Sequence, residues 1–343
     1  AAVIDLVPVG DPGNAADTRY GNWGAVGHKY WMGKFEVTNG QYIEFLNAAA
    51  RISDPYSLYL HSPTWSGIVR TGSPGNYTYG PKNGDAAWLN RPAIYVTYWS
   101  ALRFANWLHN GQPTGPPGPS TTEDGAYTLN GYFGPDGRSI TRKPGARWAI
   151  PTEDEWYKAA YYKGGSTNAG YWDYPTRSNT APTCVVPPGA AEPPGSANYR
   201  GSTADPVYRS TPVGAYTYSP GPYGTFDQGG NVTEWTETLA APVSGAWPRV
   251  YRGGMWVFNT ALYLHASQSL SLPPGTGWTG GGFRVVYVPE PATAALATLG
   301  GLALIRRRQK LSLMRRKLRL RHQAEHSTGV GMDWIRLEDV TGK

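Results

Sequence analysis

Gly224-Thr225-Phe226-Asp227-Gln228-Gly229-Gly230-Asn231-Val232-Thr233-Glu234-Trp235-Thr236 places two glycines, an amide and a carboxylate in one short run before a large aromatic ring. Glycine visits positive φ at little steric cost and asparagine tolerates it, so Gly229-Gly230-Asn231 marks a tight reversal of the chain. The carbonyls such a reversal turns outward, with the carboxylate of Glu234 three residues after Asn231, can converge on a hard cation that prefers oxygen ligands. An ion pair or cap formed by Glu234 beside a core Trp235 explains the same residues without a metal. Both readings stand at this point.

Outward from this run, helical spacing occurs in three places. Tyr42, Phe45 and Leu46 lie at i, i+3 and i+4 behind Thr38 or Asn39 as N-cap. A second helix begins at Trp99 or Ser100, carries Ala101, Phe104, Ala105 and Leu108 on one face, and stops near Asn110-Gly111. The third opens at Pro151-Thr152, where Thr152 and Glu155 form a capping box ahead of Trp156, Ala159 and Ala160. Strands are expected at residues 147–150, 249–252 and 283–287, with turn-rich stretches at 51–90, 110–146 and 164–222. Parallel βαβ alternation is missing and no repeat of 20 to 50 residues is visible, so the fold class is α+β with low regular secondary structure and long loops.

Composition agrees with a loop-rich globular protein. The 343 residues include 44 Gly and 30 Pro, 16% are charged, and 14 Trp with 24 Tyr supply the aromatic core material. Coiled coils, helical bundles and collagen-like repeats are excluded. The net charge of +7 invites a nucleic-acid reading, yet residues 1–305 hold 20 basic and 20 acidic side chains. The excess belongs to the last 38 residues, which argues against nucleic acid as a partner. Cys184 is the only cysteine, so disulfides within the chain and paired-cysteine metal sites are excluded.

Six phrases follow one another in order. Phe35-Glu36-Val37-Thr38-Asn39 comes first, then the run from Arg91-Pro92-Ala93 to Trp99, then Arg147 to Trp156. The quoted run follows, then Arg249-Val250-Tyr251-Arg252-Gly253-Gly254-Met255-Trp256, and last Gly281-Gly282-Phe283-Arg284-Val285. This series resembles the formylglycine-generating enzyme, or sulfatase-modifying factor, family over residues 30–287. The resemblance implies that family's C-type-lectin-like FGE-sulfatase domain at residues 1–287. It implies one calcium ion held by the carbonyls of Gly229, Gly230 and Val232 and the side chain of Glu234. It also implies a second, held by the side chains of Asn198 and Asp205 and the carbonyls of Tyr199 and Val207.

Catalytic members of the family bind copper(I) with two cysteines five positions apart, downstream of the Arg-Gly-Gly phrase. Counting from Gly254, Phe258 and Tyr263 stand in those places. Neither offers a soft ligand and Cys184 lies in a separate Pro-rich loop, so no copper is expected. A related branch uses a histidine triad for iron, whereas the six histidines here are scattered. The run 255–278 carries Trp256, Phe258, Tyr263, His265 and Trp278, rings suited to a glycan or peptide ligand, although core packing and a hydrogen-bonded structural His265 explain the same residues. Lectin-like variable proteins of diversity-generating retroelements share the fold. Of two glycosylation sequons, at Asn76 and Asn231, the second belongs to the Gly-Asn reversal; Gly280-Gly281-Gly282 lacks a P-loop lysine.

Val288-Pro289-Glu290-Pro291 precedes an uncharged segment, residues 292–305, and then Arg306-Arg307-Arg308. Fourteen helical residues reach about 21 Å, short of a hydrocarbon core of roughly 30 Å. The order at 288–308 resembles a PEP-CTERM sorting signal, which implies an exosortase-type partner, transient inner-membrane association through 292–305, export, and a destination in the cell envelope or outside the cell. Residues 309–343 form a basic tail of no assigned role. Ala1-Ala2-Val3 reads as the start left after removal of a signal peptide. The function expected is that of an exported, non-catalytic binding or cell-envelope protein, with a formylglycine-generating-type oxidoreductase acting on protein cysteine as the alternative.

Overall fold

Local capping chemistry starts each helix where the side chains predict it. In the computed structural model, which describes residues 1–191, 195–200 and 205–289, Thr38 rather than Asn39 caps α1, Asn39–Ala49. Its Oγ1 accepts from the N–H of Gln41, and the Gln41 side chain accepts from the N–H of Thr38. Thr97 caps α2, Tyr98–His109, one residue before the expected start, and every residue from Tyr98 to Leu108 is buried. Thr152 and Glu155 form the anticipated capping box on α3, Glu153–Tyr161.

Strands are shorter and more numerous than the sequence suggests. A first sheet has the order β1 (Leu6–Val9), β2 (Tyr30–Gly33), β10 (Val286–Tyr287) and β5 (Trp148–Ala149), all neighbours antiparallel. A separate hairpin joins β3 (Ile68–Thr71) to β4 (Thr78–Pro81), inside a stretch expected to be turns. The second sheet has the order β8 (Leu270–Leu272), β7 (Arg249–Arg252), β6 (Thr233–Leu239) and β9 (Gly281–Gly282). Only β6 and β9 run parallel among these pairs, so the predicted lack of βαβ units holds for the described residues.

The quoted run thus ends in a strand. Gly230 and Asn231 take positive φ, Gly229 does not, and β6 begins two residues later at Thr233. Glu234 faces Arg252 across β7, and Trp235 faces Tyr251.

Between the helices and the first sheet lies the main core. The rings of Tyr42, Phe45, Phe104, Trp107 and Phe283 meet at centroid distances of 5.3 to 6.3 Å, edge-on or tilted for the most part, as aromatic quadrupoles prefer. The indole of Trp235 donates to the carbonyl of Val96 at 2.9 Å, joining β6 to the start of α2. Residues Ala1–Pro289 form one compact unit. Among the described residues no helix is long and apolar enough to cross a membrane, and the sorting and tail segments lie outside them.

Candidate functional site

Arg284 sits between β9 and β10 and is fully buried. Its guanidinium forms a two-pronged ion pair with Glu234, also fully buried, and donates to the carbonyls of Gly33 on β2 at 2.9 Å and of Phe226 at 3.0 Å. The indole of Trp156 on α3 donates to the same carboxylate at 2.6 Å. Both oxygens of Glu234 are therefore engaged, as the ion-pair reading requires.

Two further carboxylates feel the same charge. Glu36, 1% exposed, has no hydrogen-bond partner on either oxygen and lines a cavity of about 110 Å³ with Asp5, Gln41 and Asn90. Burial raises its pKa well above the ordinary glutamate range, reinforced by the negative charges of Asp227 and Glu234. Asp227 accepts from the N–H of Gly214 at 2.6 Å, and burial pushes its pKa up to about 6. One arginine thus answers three carboxylates.

The two expected calcium sets come together in the fold. Asn231 donates through its N–H to the carbonyl of Asn198 at 2.8 Å, and the side-chain amide of Asn198 reaches Asn231 Oδ1 at 3.3 Å. Asn198 Oδ1 is buried without a partner, which suits a metal ligand. Other members suit it less. Asp205 pairs with Arg91 at 2.9 Å and accepts from the N–H groups of Val207 and Tyr208, while the carbonyl of Tyr199 accepts from Cys184 Sγ. Glu234 is held by Arg284. Among the described residues no three His, Cys, Asp or Glu side chains gather as a metal centre.

The five aromatic candidates divide among four environments. Phe258 and Tyr263 stack ring on ring, centroids 4.0 Å apart and 24° from parallel. Trp256 tilts against Trp65 at 5.6 Å. His265 lies between Tyr20 and Tyr174 at 5.2 and 5.1 Å, its Nδ1 shares a hydrogen bond with Ser267 Oγ, and burial lowers its pKa. Trp278 packs on Trp235 and Tyr251 at the edge of the main core. Cys184, in its Pro-rich loop, is partly buried and packs on the cluster of Ala197, Tyr199 and Leu264, on which Tyr174 and Tyr263 also pack.

A family profile, the sulfatase-modifying factor enzyme 1-like domain, matches residues 17–288. The chain belongs to that family. Solved structures similar to this FGE-sulfatase domain include CarF, at 21% identity over 84% of this chain and 99% of that one, with a TM-score of 0.49. Treponema denticola variable protein 1 shares 19% identity over 84% and 96% of the two chains, TM-score 0.50. PvdO from Pseudomonas aeruginosa shares 19% over 83% and 91%, TM-score 0.44. No curated protein matches.

Within the FGE-sulfatase domain, sequence reasoning missed Glu36, Asp227 and Arg284 as a charge cluster. Each lay inside a quoted phrase, and an acid between Phe35 and Val37 was a signal of burial. Trp65, Tyr20 and Tyr174 gave none, because only the fold brings them to Trp256 and His265.

Proposed function

We propose that this domain is a non-catalytic binding module, with the lectin-like form of its family, that presents aromatic side chains to a glycan or peptide. The observation carrying this reading is the Phe258–Tyr263 stack. In the places that the resemblance gives to two copper-binding cysteines stand two rings in van der Waals contact, a ligand-facing surface that cannot bind a soft metal. His265 with Tyr20 and Tyr174 extends this surface; Trp256 is buried against Trp65, and it and Trp278 beside Trp235 suit a supporting role.

Calcium braces the module in this reading. The unpartnered Asn198 Oδ1 and the buried carboxyl of Asp227, close by in the chain, support a cation near the Gly-Asn reversal. Calcium would supply a fixed positive charge there, while Asn198, Asn231 and Gly230 hold the three loops in place. Elemental mass spectrometry of the full chain, after exposure to calcium and copper(I) and removal of excess, tests both claims. One or two calcium ions without copper supports them; stoichiometric copper overturns the first, and no calcium overturns the second.

One observation favours the oxidoreductase alternative: Cys184 and Tyr263 pack on the same buried cluster of Ala197, Tyr199 and Leu264. Aerobic incubation with a cysteine-containing sulfatase peptide and copper decides it, since conversion of the cysteine to an aldehyde would make the protein an enzyme. Residues 288–308 are proposed to direct export through an exosortase-type partner, with transient membrane association through 292–305 and release to the envelope or exterior. Fusing these residues to a reporter tests that proposal; a reporter that stays diffuse in the cytoplasm of an exosortase-bearing host would sink it.

A further inference from the structure

Residues 15–19 and 162–171 enclose a cleft of about 380 Å³ that none of the expected sites uses. This falls within the roughly 300–1,000 Å³ of small-ligand sites. Its frame is tied by hydrogen bonds within the protein. Asp17 accepts from Arg19 and from the hydroxyl of Tyr157 at 2.8 Å, Arg19 reaches Asp173 at 2.7 Å, and the hydroxyl of Tyr171 donates to the carbonyl of Ala15 at 2.7 Å. Both loops are thereby pre-organised.

The groups at its mouth are uncommitted. The side chains of Thr18, Thr167 and Asn168 are exposed and make no hydrogen bond to another described residue. Lys163 rests on the ring of Trp172 at 4.5 Å and forms no ion pair with a described residue. Tyr162 and Tyr171, edge to face at 4.9 Å and buried, form the rigid floor beneath these groups.

Charge narrows the ligand. Asp17 and Asp173 both pair with Arg19, which leaves the ammonium of Lys163 as one positive charge at the mouth without an ion-pair partner among the described residues. One ammonium beside the carboxylate of Asp17 suits a monoanion better than a dianionic phosphate. Two exposed hydroxyls, an amide and one ammonium match a sugar ring bearing a single carboxylate. We propose that this cleft binds a uronic-acid-containing saccharide, with Lys163 on the carboxylate and Thr18, Thr167 and Asn168 on ring hydroxyls.

The cleft borders on the aromatic surface at Tyr20, whose hydroxyl reaches Asp173 at 3.3 Å, and the test keeps the two apart. Calorimetric titration of the full chain with a galacturonic acid trimer, a neutral galactose trimer and inorganic phosphate measures the preference. The acidic trimer is expected to bind, and Asn168→Ala to weaken it by about tenfold, the effect of one hydrogen bond to a polar ligand. Lys163→Gln is expected to remove the preference for the acidic over the neutral trimer. Both positions are exposed, so an unchanged melting temperature confirms folding. Absence of binding by the acidic trimer, tighter binding of phosphate, or a loss caused by Phe258→Ala but not by Asn168→Ala would each overturn the assignment.

Discussion

Replacing Asp227 with Asn should stabilise the protein at alkaline pH and change little in acid. Burial holds the Asp227 pKa at about 6 in the fold, against 3.8 for the free side chain. A raised carboxyl pKa means that the folded state binds the proton more tightly than the unfolded state. Its favourable contribution is complete below about pH 3.8 and is lost as pH rises through about 6. At 1.36 kcal/mol per unit, that shift makes ionised Asp227 cost about 3 kcal/mol at pH 8. Asn is neutral and nearly isosteric, still accepts from the N–H of Gly214, and tolerates the positive φ of 59° at this position. Urea denaturation with a calcium chelator present, at intervals from pH 4 to 8, measures the effect. The wild type should lose stability over that range relative to Asp227→Asn, with a gap of about 3 kcal/mol at pH 8. A gap that is zero or reversed at pH 8 would refute the reasoning. With calcium in excess the gap should shrink, because the proposed ion rewards the charged form.

Arg284→Met should cost about 3–5 kcal/mol, since it leaves Glu234 buried without its cation, and adding Glu234→Gln should recover part of that loss in the same denaturation assay. Gly230→Ala places a Cβ 2.4 Å from the carbonyl oxygen of Asn198 at φ +88°, so the melting temperature should fall by an amount corresponding to at least about 2 kcal/mol. The double change Phe258→Cys and Tyr263→Cys puts two thiols where stacked rings now touch. Copper(I) should then bind near one per chain, as read by elemental mass spectrometry against the wild type.

Helix starts were legible because their determinants are local: Thr38, Thr97 and Thr152 each accept from an N–H three residues ahead. Strands were legible in part: β7 fills the expected 249–252, and β5 and β10 lie within 147–150 and 283–287, whereas β9 went unseen because it is two residues long and exists through a partner far away in the chain. Thr233–Leu239 hid behind its own start, where the Gly-Gly-Asn reversal drew attention to carbonyls rather than to the alternation that follows. The charge cluster shows the same limit. Each acid stood in a quoted phrase, yet the competition of Glu36, Asp227 and Glu234 for one guanidinium depends on Arg284, which lies 50 residues from Glu234.

The position of β10 has a consequence during synthesis. Strand β2 pairs with β1 on one side and β10 on the other, and β10 begins at Val286. At roughly 5–20 residues per second, translation from Gly33 to Val286 takes on the order of 10–50 s. Through that interval β2 presents a bare row of N–H and C=O groups, and Gly33 still lacks its contact with Arg284. The nascent chain is therefore most adhesive until Val286 and Tyr287 emerge, and the last strand of the described residues is the one that closes the seam.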